Sequence, residues 1–144
     1  SLEIALRLHR LQPEYNLAMG QCFMEIGKLD DAITYFGNVV RVRPKNINGW
    51  LELLKCLYKA EMLEEALEYA GFAFEQTDGK PIFLFYKAAV LYAMGKSKEA
   101  LLNLEAGMNR NPKLVKKFIA INPSILQVQQ VVDIIARYKK RNSL

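Results

Sequence analysis

The sequence repeats with a period of 34 residues, and this period constrains the fold more than any other feature of the chain. A displacement by 34 residues aligns Ala32 with Ala66 and Ala100, and it aligns Gly27 with Gly95. Three consecutive units result, which cover residues 13–46, 47–80 and 81–114. A unit of this length cannot bury an apolar face alone, so such units stack on their neighbours and share one continuous core.

Each unit contains the pattern of two helices. In the second unit, apolar residues recur at helical spacing at Trp50, Leu53, Leu54 and Leu57. The pattern breaks near Glu61, and the first and third units carry at this break a glycine, which readily ends a helix. Six helices are therefore predicted, at residues 13–26, 29–43, 47–60, 63–77, 81–94 and 97–110. The aligned alanines are predicted to be buried between paired helices, because close helix packing requires small side chains.

The two ends of the chain depart from the period. Leu2 and Leu6 fall in phase with Phe36 and Val40, so residues 1–12 are predicted to form the second helix of a truncated preceding repeat. Residues 115–144 are predicted to form C-terminal capping helices and a basic tail, with helices near 113–121 and 124–140. The apolar face of the last helix is assigned to Ile125, Val128, Val132, Ile135 and Tyr138.

The repeat resembles the tetratricopeptide repeat, in which small and aromatic residues occupy fixed positions of a helix pair. The matching residues are Met19, Gly20, Phe23, Ala32, Phe36 and Pro44 in the first unit, Trp50, Leu53, Leu57, Ala66 and Ala73 in the second, and Leu84, Ala88, Leu91, Ala100, Leu104 and Pro112 in the third. This resemblance covers residues 13–114 and implies an all-α fold, a right-handed α-solenoid of antiparallel helix pairs. It also implies a non-enzymatic scaffold that binds a peptide or protein partner in its concave groove.

In tetratricopeptide arrays, a second face of each first helix lines this groove. The residues that this resemblance assigns to the ligand groove are Leu17, Gln21, Met24, Leu51, Lys55, Tyr58, Lys59, Ile82, Phe85, Tyr86, Ala89 and Tyr92. Phe85, Tyr86 and Tyr92 are predicted to anchor an apolar or aromatic ligand, because aromatic anchors commonly carry most of the interface energy. Lys55 and Lys59 are available for an acidic neighbour. The alternative is that the apolar side chains pack between first helices or under the C-terminal helices.

Some tetratricopeptide domains hold the acidic tails of heat-shock chaperones with a clamp of Lys, Arg and Asn side chains. The positions of this sequence that match the clamp hold Leu17, Gln21, Glu52, Ile82 and Tyr86. None of these side chains is cationic, and Glu52 would repel a carboxylate. The resemblance therefore implies that this chain lacks the acidic-tail clamp.

Nothing in the sequence points to catalysis, a cofactor or a metal site. His9 is the only histidine, so the chain lacks a second histidine for a typical metal site. Cys22 and Cys56 occupy the same slot of adjacent repeats and are predicted to be small buried thiols that are too far apart for a disulfide. The carboxylates of Asp30-Asp31 and Glu64-Glu65 begin second helices, where they complement the helix dipole. The chain is therefore predicted not to be an enzyme.

The positive charge of the chain is concentrated at its C-terminal end. Residues 112–144 hold seven Lys and Arg against the single Asp133, whereas the repeats are slightly acidic. This cluster is interpreted as a solvated cap, with contact to RNA, DNA or anionic lipid as the alternative, and the acidic repeats disfavour nucleic acid. A second functional alternative is self-association through the truncated N-terminal edge.

No apolar stretch is long enough to cross a membrane, so no membrane partner is expected. The chain begins at Ser1 without a methionine and is expected to be a fragment. The presence of a signal peptide in the parent protein is therefore not assessable from this sequence. Reduced thiols favour a cytoplasmic protein.

Overall fold

The structure is a computed structural model that describes residues 2–4 and 12–141. The described residues form helices and connecting turns and contain no β-strand, which confirms the predicted all-helical fold. Apart from residues 2–4, the α-helices are α1 (Pro13–Glu25), α2 (Leu29–Val42), α3 (Ile47–Lys59), α4 (Leu63–Gln76), α5 (Ile82–Ala93), α6 (Ser97–Arg110), α7 (Val115–Ile121) and α8 (Gln129–Arg141). Short 3₁₀ helices span Pro112–Leu114 and Pro123–Gln127.

The six helices of the repeats begin and end within one residue of their predicted bounds. Residues 2–4 are helical, but Ser1 and residues 5–11 of the predicted truncated repeat, including His9, lie outside the described residues. The chain divides into two compact units, Ser1–Thr77 with α1 to α4 and Asp78–Leu144 with α5 to α8.

In the first unit, helix pairs are closed by turns that require a left-handed residue. Gly27 has φ 79° and Glu61, in the same slot of the next pair, has φ 59°. After α1, the amide of Gly27 donates to the carbonyl of Met24 at 3.1 Å, and the amide of Lys28 donates to the carbonyl of Phe23 at 2.9 Å. These bonds pair carbonyl groups that the end of the helix would otherwise leave without partners.

Close helix contacts in the first unit depend on small residues. Ala32 and Ala66 are fully buried, as predicted, and Ala100 is equally buried in the second unit. Gly20 is also buried, but the group that it meets is the ring of Phe36, one helical turn beyond Ala32. A Cβ at Gly20 would lie 2.6 Å from that ring, so only glycine fits there without a shift of the ring.

A polar contact joins α1 to α2. Asn16 is only 1% exposed. Its side-chain Nδ2 donates to the carbonyl of Gln12 at 2.9 Å, and its Oδ1 accepts from Asn38 Nδ2 at 3.0 Å. Because buried amides are costly without partners, these bonds allow Asn16 to replace the apolar residue found in this slot at Trp50.

In the second unit, the C-terminal helices differ from the prediction in one respect. The single helix expected at residues 124–140 is interrupted, because Val128 is extended with φ −87° and ψ 110° and α8 begins only at Gln129. The buried face of α8 is formed by Val131, Ile134, Ile135 and Tyr138, so Ile135 and Tyr138 are buried as predicted. Val132, which was assigned to this face, is only half-buried.

Candidate functional site

In the first unit, the residues assigned to the groove lie on the faces of α1 and α3 that do not form the core. The core face of α3 carries Leu53, Leu54 and Leu57, all buried. On the other side of α3, Leu51 and Tyr58 are half-buried, and Lys55 and Lys59 are exposed. The assigned residues of α1 are the half-buried Leu17 and Met24 and the exposed Gln21. We call these seven residues the α1/α3 surface.

Two ion pairs lie on or beside the α1/α3 surface. The Lys55 Nζ lies 3.5 Å from Glu52 Oε1 in the preceding turn of α3, so Lys55 already has a carboxylate partner. In the other pair, Arg43 Nη1 lies 3.1 Å from Glu14 Oε1. No ion pair within 4.0 Å links Lys59 to a carboxylate of the described residues. A cation for an acidic ligand is therefore better supplied by Lys59 than by Lys55.

In the second unit, the residues assigned to the groove are mostly inaccessible, which corrects the prediction. Phe85 is 0% exposed, and Ile82, Tyr86 and Ala89 are also buried. The side chain of Tyr92 is half-buried. Four of these five residues of α5 are therefore not exposed anchors for a ligand.

The C-terminal segment explains the burial of Phe85. Its ring lies 5.9 Å from the ring of Phe118 in α7, centroid to centroid, and both side chains belong to one core with residues of α8. A Cβ at Gly107 of α6 would lie 2.9 Å from the Phe85 ring, so that ring is enclosed from two sides. The alternative interpretation, packing under the C-terminal helices, is the correct one for Phe85.

Phe118 and Gly107 were not identified from the sequence. Phe118 lies beyond the last repeat, where the 34-residue period no longer predicts which residues meet. A weak signal was present at Gly107. The matching positions of the earlier repeats hold Ala73 and Val39, so the smallest of the three residues stands in the repeat where the Phe85 ring must fit.

Tyr92 carries the one buried side-chain polar atom of the described residues that lacks a hydrogen-bond partner, its hydroxyl oxygen. Burial raises the pKa of this hydroxyl above its usual value of 10.0. The hydroxyl is therefore neutral near pH 7 and contributes no charge to a ligand site.

The two cysteines differ in exposure. Cys56 is fully buried, as predicted, but Cys22 is exposed, which corrects the prediction that both thiols are buried. The core face of α3, which carries Cys56, packs against α2 of the preceding pair. Both thiols are free. Burial, assisted by the nearby Glu52 carboxylate, raises the pKa of Cys56 from 9.0 to about 11.

A cluster of metal-binding side chains and a membrane-spanning helix are both absent from the described part of the chain. Residues 2–4 and 12–141 contain no group of three or more His, Cys, Asp or Glu side chains that could hold a metal ion. In the same residues, no helix has both the length and the apolar composition that crossing a bilayer requires.

No family model and no curated protein sequence matches the chain. Solved structures do match its fold. The crystal structure of MamA has a TM-score of 0.70 and 15% identity, over 98% of this chain and 84% of that chain. The TPR2B domain of yeast Sti1, in its pHsp70 complex, has a TM-score of 0.62 and 15% identity, over 90% and 97%. The translocator chaperone SycD of Yersinia enterocolitica has a TM-score of 0.59 and 20% identity, over 92% and 95%.

These similarities agree with the period of the sequence and with the helix pairs of each unit. The TPR2B domain of Sti1 is a tetratricopeptide domain, and its likeness to this chain extends over most of both chains. At identities of 15–20%, the likeness concerns the fold. The chain therefore has a tetratricopeptide-type fold, in which antiparallel helix pairs recur along the sequence.

Proposed function

We propose that this chain is a non-enzymatic protein-interaction module whose ligand surface is the α1/α3 surface of the first unit. The observation that carries the proposal is the contrast in exposure between the repeats. Leu17, Met24, Leu51 and Tyr58 stay partly accessible, whereas the matching face of α5 is buried. Accessible apolar side chains that share one face with polar ones are typical of protein-binding surfaces.

The chemistry of the α1/α3 surface favours a peptide or helix with apolar side chains and a nearby carboxylate. Leu51 and Tyr58 supply apolar area, and Lys59 supplies a cation that has no carboxylate within 4.0 Å among the described residues. Glu52 opposes a ligand with several carboxylates at this place. Two structures of similar fold support a protein partner, since one is in complex with pHsp70 and the other is a translocator chaperone.

The proposal is tested by placing a photo-crosslinking residue at Gln21 or at Lys55 in the full chain. Crosslinked partners are identified by mass spectrometry, and a crosslinker at the exposed Lys98 of α6 is the control. With a purified partner, Leu51→Ala and Met24→Ala should each weaken binding by about 1–2 kcal/mol, as for partly buried interface residues. Phe72→Ala, at an exposed position of α4, should leave binding unchanged. Equal affinities for all three folded variants would contradict the proposal.

Self-association is a second candidate, supported by side chains that are unusually exposed near the end of α1. Ile26 at the end of α1 is 67% exposed and Cys22 is exposed, whereas Cys56 in the slot matching Cys22 is buried. A second chain could cover this end of α1. Sedimentation equilibrium tests the idea, because Ile26→Lys should shift a dimer towards monomer, and a parent chain that is monomeric at all concentrations excludes it. The cytoplasmic location stays a prediction.

A further inference from the structure

The second unit contains a cleft of about 470 Å³ that belongs to none of the surfaces described above. Its lining residues are Met108, Pro112, Lys113, Val115, Lys116 and Lys139. They come from the end of α6, the 3₁₀ helix that follows it, and helices α7 and α8. We call this site the lysine cleft.

The floor of the lysine cleft is apolar and its rim is cationic. Met108 is 1% exposed and Val115 is 7% exposed, so these side chains are recessed below the surface. Lys113, Lys116 and Lys139 are all exposed. A ligand can therefore place an apolar group on the floor and its negative charges at the rim.

The ammonium groups of the rim have no carboxylate partner within 4.0 Å among the described residues. Arg137 lies 3.8 Å from Glu105, and Arg141 lies 5.0 Å from the centroid of the Tyr138 ring, so both guanidinium groups are already engaged. No carboxylate of the described residues therefore competes with a ligand for the rim lysines.

The charge of the whole second unit reinforces the rim. Residues 78–144 contain twelve Lys and Arg against four Asp and Glu, whereas residues 1–77 contain eight against eleven. Such an excess attracts anionic partners over a range of about 10 Å at moderate salt.

Among anionic ligands, the lysine cleft favours an acidic protein segment. Single-stranded nucleic acids usually require aromatic side chains on which bases stack, and the six lining residues include none. An anionic membrane would engage the exposed cations but would leave the recessed Met108 and Val115 without an apolar partner. Lysine ammonium groups are compact charges on flexible stems that suit separate carboxylates.

We propose that the lysine cleft binds an acidic peptide segment in which an aliphatic side chain is flanked by carboxylates. The aliphatic side chain packs on Met108 and Val115, and the carboxylates pair with the ammonium groups of Lys113, Lys116 and Lys139. This site lies within the second unit and does not depend on binding at the α1/α3 surface. The chain would thus contact partners through two surfaces of different chemistry.

The test measures fluorescence anisotropy of a labelled Glu-Asp-Leu-Asp-Glu peptide, with acetylated and amidated ends, against the full chain at low salt. We expect saturable binding that weakens as salt is added. The peptides Gln-Asn-Leu-Asn-Gln and Glu-Asp-Ser-Asp-Glu remove the charges and the aliphatic group in turn, and both should bind more weakly. Lys116→Glu and Lys139→Glu should each lower the affinity by about three- to tenfold, as expected for reversal of an exposed charge.

The matched controls are Lys96→Glu and Lys98→Glu, which change the net charge equally at exposed positions before and within α6. If these controls weaken binding as much as Lys116→Glu does, the peptide is held by general electrostatic attraction to the chain and not by the lysine cleft, and the proposal is overturned. It is also overturned if no saturation occurs below about 1 mM. Single-stranded RNA, phosphatidylserine vesicles and unlabelled peptide are also tested as competitors. If RNA or vesicles displace the labelled peptide at a lower concentration than unlabelled peptide does, the site is assigned to that ligand and the proposal is overturned. Circular dichroism establishes that each variant is folded, and Leu51→Ala, which tests the α1/α3 surface, should leave peptide binding unchanged.

Discussion

At the residue scale, the turns that close the helix pairs offer a direct measure of backbone strain. Glu61 occupies the left-handed conformation that glycine occupies at Gly27, and a residue with a Cβ is disfavoured there by about 1 kcal/mol. We predict that Glu61→Gly raises the free energy of unfolding by about 0.5–1 kcal/mol, as measured by urea denaturation.

The control for this prediction is Gly27→Ala. A Cβ at Gly27 would have no atom within 4 Å, so the substitution introduces the conformational strain without a steric clash. It should lower the free energy of unfolding by a similar amount. If both substitutions are neutral, the left-handed turns do not limit stability.

The cysteines provide a prediction about chemical reactivity. Cys22 is exposed, whereas the buried Cys56 has a pKa raised to about 11 and is neither ionised nor accessible at neutral pH. Iodoacetamide should modify Cys22 alone in the native chain and both thiols in urea, as measured by intact mass. Modification of Cys56 at an equal rate would contradict its burial.

The same pKa predicts a loss of stability at alkaline pH. An unfolded Cys56 releases its proton near pH 9.0 and the folded one near pH 11, so the folded state is increasingly disfavoured as pH rises across this interval. Urea midpoints measured below pH 9 and near pH 11 should therefore fall more steeply for the parent chain than for Cys56→Ala. Parallel falls would mean that the thiol does not contribute.

Phe85 and Tyr92 were predicted as ligand anchors, and the structure leads to a different prediction for each. Phe85→Ala should lower the free energy of unfolding by about 3–5 kcal/mol, because it opens a cavity against Phe118. Tyr92→Phe removes a buried hydroxyl without a partner among the described residues, so stability should be unchanged or rise by up to about 1 kcal/mol. Thermal unfolding of both variants checks the contrast, and a destabilised Tyr92→Phe would indicate that the hydroxyl is satisfied.

At the scale of the helix, the C-terminal elements are part of the core of the second unit. Phe118 of α7 and Ile134 of α8 pack in one cluster with Phe85 and Leu104. Deleting residues 122–144 should expose this cluster and promote aggregation, which size-exclusion chromatography with light scattering would detect. A truncated chain that remains monomeric and equally stable would contradict the role of α8 as a cap.

A point substitution tests the same contact without shortening the chain. Ile134→Asp places an unpaired carboxylate at a buried position and should cost about 3–5 kcal/mol. Its control is Ala136→Asp, which adds the same charge at an exposed position of α8. The control should stay within about 0.5 kcal/mol of the parent chain.

The helices also show where prediction from sequence succeeds and where it fails. The repeat helices were placed to within one residue, because the period, the apolar spacing and the turn residues at Gly27, Glu61 and Gly95 agree with one another. Val128 carries no comparable signal for a break, so α8 was begun too early, and Val131 rather than Val132 lies on its buried face. Phe85 and Ala89 were misassigned as exposed groove residues because both belong to a core that includes residues outside the period, such as Phe118.

At the scale of the whole molecule, the two units predict different responses to acidic ligands. The positions that match a chaperone-tail clamp hold Leu17, Gln21, Glu52, Ile82 and Tyr86, and the last two are buried. A Glu-Glu-Val-Asp peptide with a free carboxyl end should therefore not bind at the clamp positions. Any weak binding should occur at the lysine cleft and disappear in Lys116→Glu, as measured by isothermal titration calorimetry.

The controls separate the two sites. Glu52→Gln removes the carboxylate from the clamp positions and should not create affinity for the peptide. Binding that survives both Lys116→Glu and Lys139→Glu, and that strengthens in Glu52→Gln, would show that a clamp exists despite the missing cations.

The contact between Asn16 and Asn38 has a consequence for how a repetitive chain chooses its partners during folding. Helices of similar sequence can pair with the wrong repeat, and such mispairing is a characteristic failure of repeat proteins. The slots that match Asn38 in the later repeats hold Phe72 and Ala106, neither of which can bond the Asn16 side-chain oxygen. A mispaired α1 would lose the hydrogen bond that the Asn16 side-chain oxygen accepts from Asn38, at a cost of about 0.5–1.5 kcal/mol. This pair of asparagines therefore contributes pairing specificity, because it favours α2 over the matching helices of the other repeats as the partner of α1.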